Sequence, residues 1–206
     1  MTLALENLER ADFIKKAKPI SNPSLMDSKT IRYYLWDDWL KFHCTYIEPY
    51  RKIIALNSRA GLFEKITAKS LATYYGLAFE RLCLKNLGTI LQALEIPLET
   101  LIDFGPYFKQ GSRKKGSEPG IQIDLLLLRQ GQVVTLIECK FTEHPIDSSI
   151  IPSIERKLKF LPFSKTHSIE KVLISAAGVT PELRSSNYFH QILGLEAILG
   201  AEPGGR

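Results

Sequence analysis

Two apolar segments separated by a short glycine-containing turn constrain the fold of this chain more than any other feature. The segments cover residues 121–128 and 133–137, and the sequence RQGQ lies between them. A turn of this kind is typical of a β-hairpin, and unbroken apolar runs indicate strands that are covered on both faces. The sequence therefore predicts a hairpin in the interior of an α/β structure.

The segments on either side of this hairpin predict the layers that cover it. Residues 73–94 carry apolar side chains at helical spacing, and residues 148–160 predict a second amphipathic helix. Residues 100–108 and 171–178 predict further strands, and the final segment FHQILGLEAIL predicts a helix. This order predicts an α/β fold in which helices flank a central mixed sheet.

Composition narrows the class of protein. With 206 residues, of which 45% are hydrophobic and 24% charged, the chain has room for one full domain and a small appendage. No apolar run approaches the roughly 20 residues that span a bilayer, and the N-terminal segment mixes acidic and basic residues, unlike a secretory signal. Cys44, Cys83 and Cys139 are far apart in apolar surroundings, which predicts reduced, buried thiols in a cytoplasmic protein without membrane contact.

Three charged residues interrupt the apolar strands: Asp124, Glu138 and Lys140. Because strand residues alternate, Glu138 and Lys140 share one face while Cys139 points away. The turn brings Asp124 opposite residues 137–138, so that two carboxylates lie side by side. They repel each other unless a proton or a cation intervenes, and Mg²⁺ or Mn²⁺ would satisfy both. Carboxylates, a divalent ion and a lysine are the groups that phosphodiester hydrolysis requires.

A simpler interpretation stays open at this point. Asp124 and Lys140 could form a salt bridge at the strand ends while Glu138 faces solvent. The position of these residues on strands built for burial favours the functional interpretation, because bare charges are costly to bury there.

Asp124 followed by the tripeptide Glu138-Cys139-Lys140 resembles the motif of the PD-(D/E)xK nuclease superfamily, with Ile123 where the motif has proline. The resemblance implies a restriction-endonuclease-like core with the element order αβββαβ. It also implies that Asp124 and Glu138 are catalytic metal ligands, that the backbone carbonyl of Cys139 adds a ligand, and that Lys140 is catalytic.

The same resemblance assigns a role to Glu80, in the segment GLAFERLCLKNL. The superfamily often carries a further glutamate on its first core helix, and Glu80 occupies the matching position. The resemblance thus implies that Glu80 is a catalytic residue and a metal ligand. The alternative is a solvent-facing glutamate paired with Arg81 or Lys85.

A longer pattern is more specific. The blocks YYLWDDWLKFHCTYIEP, YYGLAFERLCLKNL, IQIDLLLL and LIECKF resemble, in this order, the DUF234-type C-terminal region of prokaryotic DEXX-box/AAA-type ATPases. The resemblance covers about residues 1–178. It implies a winged-helix remnant with connecting helices over residues 1–70 and a nuclease-like domain over residues 71–206. The sequence has no G-x-x-x-x-G-K-[ST], so we expect no ATPase activity from this chain and a separate or missing ATPase module.

Basic residues close to the motif are candidates for nucleic-acid binding. Arg113, Lys114 and Lys115 lie in a glycine-bounded loop before the Asp124 strand, and Lys157 lies on the helix after the motif. They are expected to contact the phosphate backbone of DNA, although such runs are also common in solvated loops. The net charge of +5 permits this contact without establishing it.

Three hypotheses about function remain. The first is a metal-dependent nuclease that hydrolyses DNA. The second is a non-catalytic DNA-binding or regulatory module that partners an ATPase. The third is a structural α/β protein in which the charged residues are incidental and lie on different faces.

Overall fold

The computed structural model describes residues 2–17, 20, 32–56, 61–109, 111 and 120–200 of the chain. Contacts between Cα atoms divide it into two compact units. The first unit comprises Met1–Ala17 and Thr30–Ala78, and the second comprises Lys18–Lys29 and Phe79–Arg206. No helix among the described residues is both long enough and apolar enough to cross a membrane.

The first unit combines a two-stranded antiparallel sheet with short helices. Its elements are α1 (Thr2–Arg10), β1 (Ile14–Ala17), β2 (Arg32–Leu35), α2 (Asp38–Phe42), α3 (Arg51–Ile54), α4 (Leu62–Thr67) and the start of α5 (Leu71–Lys85). The side chain of Asp37 accepts a hydrogen bond from the backbone N–H of Leu40 and so caps α2. Phe42, at the end of α2, packs its ring against the rings of Tyr46 and Tyr74, which also contact each other. The winged-helix interpretation of the N-terminal residues stays a prediction.

The second unit is built on a five-stranded mixed sheet. It contains the end of α5 and then α6 (Leu87–Ala93), β3 (Leu101–Lys109), β4 (Ile121–Arg129), β5 (Val133–Lys140), α7 (Ile151–Phe160), β6 (Ser168–Ser175), α8 (Pro181–Ser185), β7 (Gln191–Leu193) and α9 (Leu195–Leu199). The spatial order is β3-β4-β5-β6-β7. Strands β3 to β5 form an antiparallel meander, and β6 and β7 continue the sheet in parallel. This helix, meander, helix, strand order confirms the predicted restriction-endonuclease-like fold class.

Helices cover both faces of the sheet, which explains the unbroken apolar runs of its central strands. On one face, Leu126, Leu128, Val134 and Leu136 belong to a buried cluster with Ile154 of α7. On the other face, a second cluster joins the remaining central-strand residues to α5 and α6; its members include Phe79, Cys83, Ile90, Leu125, Leu127, Ile137 and Cys139. The sheet therefore lies between two apolar layers.

The hairpin that joins β4 to β5 turns through three residues, because Arg129 pairs with Val133. Gly131 and Gln132 have φ angles of 74° and 59°, in the left-handed region. Glycine adopts this conformation without a steric penalty, and Gln132 follows it as the second left-handed residue.

Two expectations from the sequence were wrong. The segment FHQILGLEAIL is not one helix, since Gln191–Leu193 forms β7 beside β6 and only Leu195–Leu199 is helical. Pairing with an existing sheet edge outweighs the local helical pattern in this short segment. Cys44 is exposed, whereas Cys83 and Cys139 are buried as expected. Cys44 lies in a single π-helical turn, and the spacing of a regular α-helix does not apply there.

Candidate active site

Glu138 and Lys140 lie at the end of β5 with their side chains in contact. The Lys140 Nζ atom donates a hydrogen bond of 2.6 Å to Glu138 Oε1. Glu138 is only 2% exposed, while the Lys140 side chain retains 35% of its exposure. Cys139, between them, belongs to the apolar cluster on the opposite face, as the alternation of a strand requires. The carboxylate is thus buried and the lysine reaches the surface of the site.

Asp124 reaches β5 through its side chain. The β4–β5 ladder ends at the pair Leu125–Ile137. Beyond that pair, Asp124 Oδ2 accepts a hydrogen bond of 2.9 Å from the backbone N–H of Cys139. The carboxylate therefore replaces the next rung of the ladder and stands beside Glu138.

An irregularity in β4 sets the direction of this residue. Gly105 of β3 pairs with Leu126, but Tyr107 pairs with Ile123, so one extra residue of β4 is accommodated between the two pairs. Ile123 belongs to the apolar cluster on the α7 face, whereas Leu125 belongs to the cluster on the α5 face. Strict alternation would place these two residues on the same side. A β-bulge at Asp124 is consistent with its position, because bulges often re-aim side chains beside active sites.

Lys157 of α7 contacts the same glutamate. Its Nζ atom lies 2.7 Å from Glu138 Oε1 and 2.5 Å from Glu138 Oε2, and its side chain is 12% exposed. The residue was expected to contact a nucleic-acid backbone, and in the structure it is a counter-ion of Glu138. The sequence carried a signal for its orientation, since Lys157 follows the buried Ile154 by three residues and so shares its side of the helix. Nothing in the sequence indicated that Glu138 would be the acceptor of the Lys157 ammonium.

Burial and the neighbouring charges shift the pKa values of three ionisable groups at this site. Burial, followed by repulsion from Glu138, raises the pKa of Asp124 above its ordinary value. Burial and the neighbouring Asp124 raise the pKa of Glu80 to about 7. Burial acts to lower the pKa of Lys140, but the charge and hydrogen bond of Glu138 outweigh it, so the pKa is raised. Lys140 therefore remains an ammonium at neutral pH.

Glu80 lies on α5, whose Phe79 and Cys83 belong to the same apolar cluster as Leu125 of β4 and Cys139 of β5. Besides burial, the charged side chains of these strands shift the pKa of Glu80. Repulsion from Asp124 and from Glu138 raises that pKa, while attraction to Lys140 and Lys157 lowers it. The structure thus brings α5 and the two strand ends to one place. The role of Glu80 as a ligand stays a prediction.

The environment of Cys139 disfavours the thiolate, which is the nucleophilic form of cysteine. A hydrogen bond with Cys83 and then burial raise the pKa of the Cys139 thiol well above its ordinary value. The thiol is the unreactive form of cysteine, so Cys139 serves the site through its backbone.

The three loop residues Arg113, Lys114 and Lys115 lie outside the described residues.

The donor set fits a hard divalent cation in its chemistry. Glu138 is a buried carboxylate beside the partly buried Asp124, and burial and repulsion between carboxylates raise the pKa values of Asp124 and Glu80. Within the described ranges, no three His, Cys, Asp or Glu side chains are grouped as a ready-made metal site. Mg²⁺ is commonly held by one or two carboxylates together with water and phosphate oxygens, so a site based on Asp124 and Glu138 remains suitable.

The order of the elements and the five-stranded mixed sheet place the second unit in the restriction-endonuclease-like fold class. Within this class, the chain belongs to the DUF234 family, which is described as archaea bacterial proteins of unknown function; the family model matches residues 43–151, more than half of the chain. No curated protein matches the sequence significantly.

Two solved structures align with part of this chain. A protein of unknown function, AF1548, is 16% identical with a TM-score of 0.35, and the match covers 54% of this chain and 58% of that one. An EndoMS–dsDNA2 complex is 14% identical with a TM-score of 0.31, and the match covers 59% of this chain and 45% of that one. This chain therefore spans about half the length of each. At these scores the similarity transfers no function.

Proposed function

We propose that this protein is a metal-dependent nuclease that hydrolyses the phosphodiester bonds of DNA. The observation that carries the proposal is the meeting of Asp124, Glu138 and Lys140 at one end of the β4–β5 hairpin. Burial makes these charges expensive in an apolar sheet, so a purely structural role explains them poorly. A cation and a phosphate group would balance both signs of charge.

In this proposal Asp124 and Glu138 hold Mg²⁺ or Mn²⁺, and the backbone carbonyl of Cys139 adds a ligand. A bound divalent ion lowers the pKa of water and offsets the charge that develops on the phosphate. The hydrogen bond from the Cys139 N–H fixes the orientation of the Asp124 carboxylate before any cation arrives. Such positioning in advance is what favours catalysis over simple binding.

Lys140 stabilises negative charge in the proposed reaction. Its raised pKa keeps the ammonium protonated, so the residue donates hydrogen bonds to phosphate oxygens and does not act as a general base. Its side chain is 35% exposed, so a substrate can approach it from solvent. The catalytic part of the proposal therefore rests on this side chain.

Glu80 is proposed as a third carboxylate that helps to hold the cation or exchanges a proton with the reacting groups. A pKa of about 7 means that both protonation states are populated near neutral pH, which suits proton transfer. A cation held by the site would favour the ionised form of Glu80 instead. Arg113, Lys114 and Lys115 are proposed to contact the DNA backbone on the basis of their position in the sequence.

Cleavage assays on single- and double-stranded DNA with Mg²⁺, with Mn²⁺ and with a chelator test the proposal. The wild type should cleave only with the metal, and Lys140→Ala should reduce the rate by about 10²-fold or more. Lys159→Ala is the matched control, because it removes the same charge from an exposed position on α7. Equal cleavage by the wild type and Lys140→Ala would refute the mechanism.

A second candidate is a non-catalytic DNA-binding or regulatory module that partners an AAA/DEXX-box-type ATPase. The observation in its favour is that the ammonium groups of Lys140 and Lys157 already balance the charge of Glu138, so that no metal ion is required. It predicts that calorimetry detects no Mg²⁺ binding and that DNA or ATPase binding survives Asp124→Asn. Loss of DNA binding in Asp124→Asn, together with measurable Mg²⁺ affinity, would exclude it.

A further inference from the structure

Both carboxylate oxygens of Glu138 are occupied by ammonium groups. Lys157 contacts Oε1 at 2.7 Å and Oε2 at 2.5 Å, and Lys140 contacts Oε1 at 2.6 Å. The two lysines differ in setting, since Lys157 is 12% exposed and Lys140 is 35% exposed. Lys157 alone touches both oxygens and lies deeper in the protein. It is therefore the principal counter-ion of this carboxylate.

We infer that Lys157 is a positioning residue that serves as an internal cation, holding Glu138 in place and competing with a divalent ion for both of its oxygens. A buried carboxylate needs compensating charge, and an ammonium with three donors supplies it when no metal is bound. A divalent ion approaching Glu138 meets the like charge of Lys157. Binding thus requires that Lys157 give up at least one oxygen.

The fold allows the ammonium group of Lys157 to leave Glu138 while the backbone of α7 stays in place. Ile154 is fully buried and Leu158 packs against the same cluster, so both fix α7 on the sheet and hold the Lys157 backbone close to β5. The lysine side chain is a flexible four-carbon stem that carries a compact charge. The ammonium can leave Glu138 without moving the helix. Once displaced, it remains beside the cation and available to an anionic substrate.

This inference rests on the proposed function, because it concerns the cation site of that nuclease. Its consequence is nonetheless separate from catalysis. If Lys157 competes for Glu138, removing its charge should strengthen metal binding even though it removes a native contact. A residue with a merely structural role would weaken metal binding, or leave it unchanged, when it is truncated. The direction of the change in affinity therefore separates the two roles.

The test compares Mn²⁺ binding to four full-length proteins by titration calorimetry and by the Mn²⁺-dependent shift of the melting temperature. The proteins are the wild type, Lys157→Met, Lys157→Arg and Lys159→Met, the last being a control for charge on the same helix. Lys157→Met should bind Mn²⁺ about tenfold more tightly than the wild type, since a hydrogen bond between charged groups contributes free energy of that order. Its melting temperature should also rise more with Mn²⁺.

Lys157→Arg should retain weak binding because it keeps the competing charge, and Lys159→Met should match the wild type. Unchanged or weaker Mn²⁺ binding by Lys157→Met would overturn the inference. Should Lys157→Met not fold, Lys157→Gln keeps a hydrogen-bond donor without the charge, and the same direction is expected. A wild type that does not cleave DNA, combined with tighter Mn²⁺ binding by Lys157→Met, rejects the nuclease and supports the inference. Cleavage of DNA by the wild type, combined with unchanged Mn²⁺ affinity in Lys157→Met, supports the nuclease and rejects the inference.

Discussion

The backbone N–H of Cys139 donates a hydrogen bond of 2.9 Å to the carboxylate of Asp124. The residue proposed as a metal ligand thus also completes the hydrogen bonding of β5, where the backbone ladder to β4 has ended at Leu125 and Ile137. Buried backbone donors are almost always paired, so this carboxylate has a structural duty besides its proposed chemical one. Substitutions at Asp124 can separate the two.

Asp124→Ala removes the acceptor and should lower the free energy of unfolding by about 1–3 kcal/mol, the cost of an unsatisfied buried donor. Asp124→Asn keeps an oxygen acceptor and replaces a carboxyl group whose pKa is raised by burial. The stability of this variant should therefore equal or exceed that of the wild type. Urea unfolding with a chelator present measures both variants. Both should lose DNA cleavage, and equal stability of the two would contradict the role of the hydrogen bond.

Glu138 and Lys157 form a buried ion pair whose two halves depend on each other. Glu138→Leu leaves the Lys157 ammonium without its acceptor and should destabilise the protein by about 3–5 kcal/mol. Adding Lys157→Met should recover most of that loss, because the uncompensated charge is then gone. Denaturant titrations of both single variants and the double variant give the coupling free energy.

The matched comparison is Glu48→Ala, which breaks a contact with Arg51 at 4.0 Å in which both side chains are more than half exposed. It should change stability by no more than about 1 kcal/mol. Additive effects of Glu138→Leu and Lys157→Met would show that the buried pair is not coupled.

The sequence predicted the sheet because its strands are buried on both faces and follow one another along the chain. The placement of Glu138 and Lys140 on one face of β5 also followed from the sequence, since strand residues alternate between faces. The bulge at Asp124 did not, because it depends on how β3 pairs with β4, and the four consecutive leucines of residues 125–128 lack the alternation that would reveal the register. The bond from Lys157 to Glu138 joins α7 to β5 and likewise depends on packing.

The three cysteines should differ in reactivity. Cys44 is exposed, whereas Cys83 and Cys139 are buried, and the pKa of the Cys139 thiol is raised well above its ordinary value. A thiol reagent added to the native protein should therefore modify one cysteine quickly, and all three after unfolding. Absorbance of the released reagent product counts the thiols. Cys44→Ser should abolish the fast reaction, and a fast reaction that persists in this variant would place a second thiol at the surface.

Glu80 should make the stability of the metal-free protein depend on pH. Its pKa is about 7 in the folded protein, against an ordinary value of 4.5, with burial as the main cause and Asp124 as the next. Between these values the folded state holds a proton that the unfolded state has released. The free energy of unfolding consequently falls as the pH rises through this window and stays lower above it.

The melting temperature, measured with a chelator present, should therefore fall between about pH 5 and about pH 8. The fall should be larger for the wild type than for Glu80→Gln. The variant retains a smaller decrease, because the pKa of Asp124 is raised as well and acts in the same direction. Glu182→Gln, at an exposed position on α8, is the control and should follow the wild type. An identical pH dependence in the wild type and Glu80→Gln would mean that Glu80 ionises as a solvated residue, outside the carboxylate cluster.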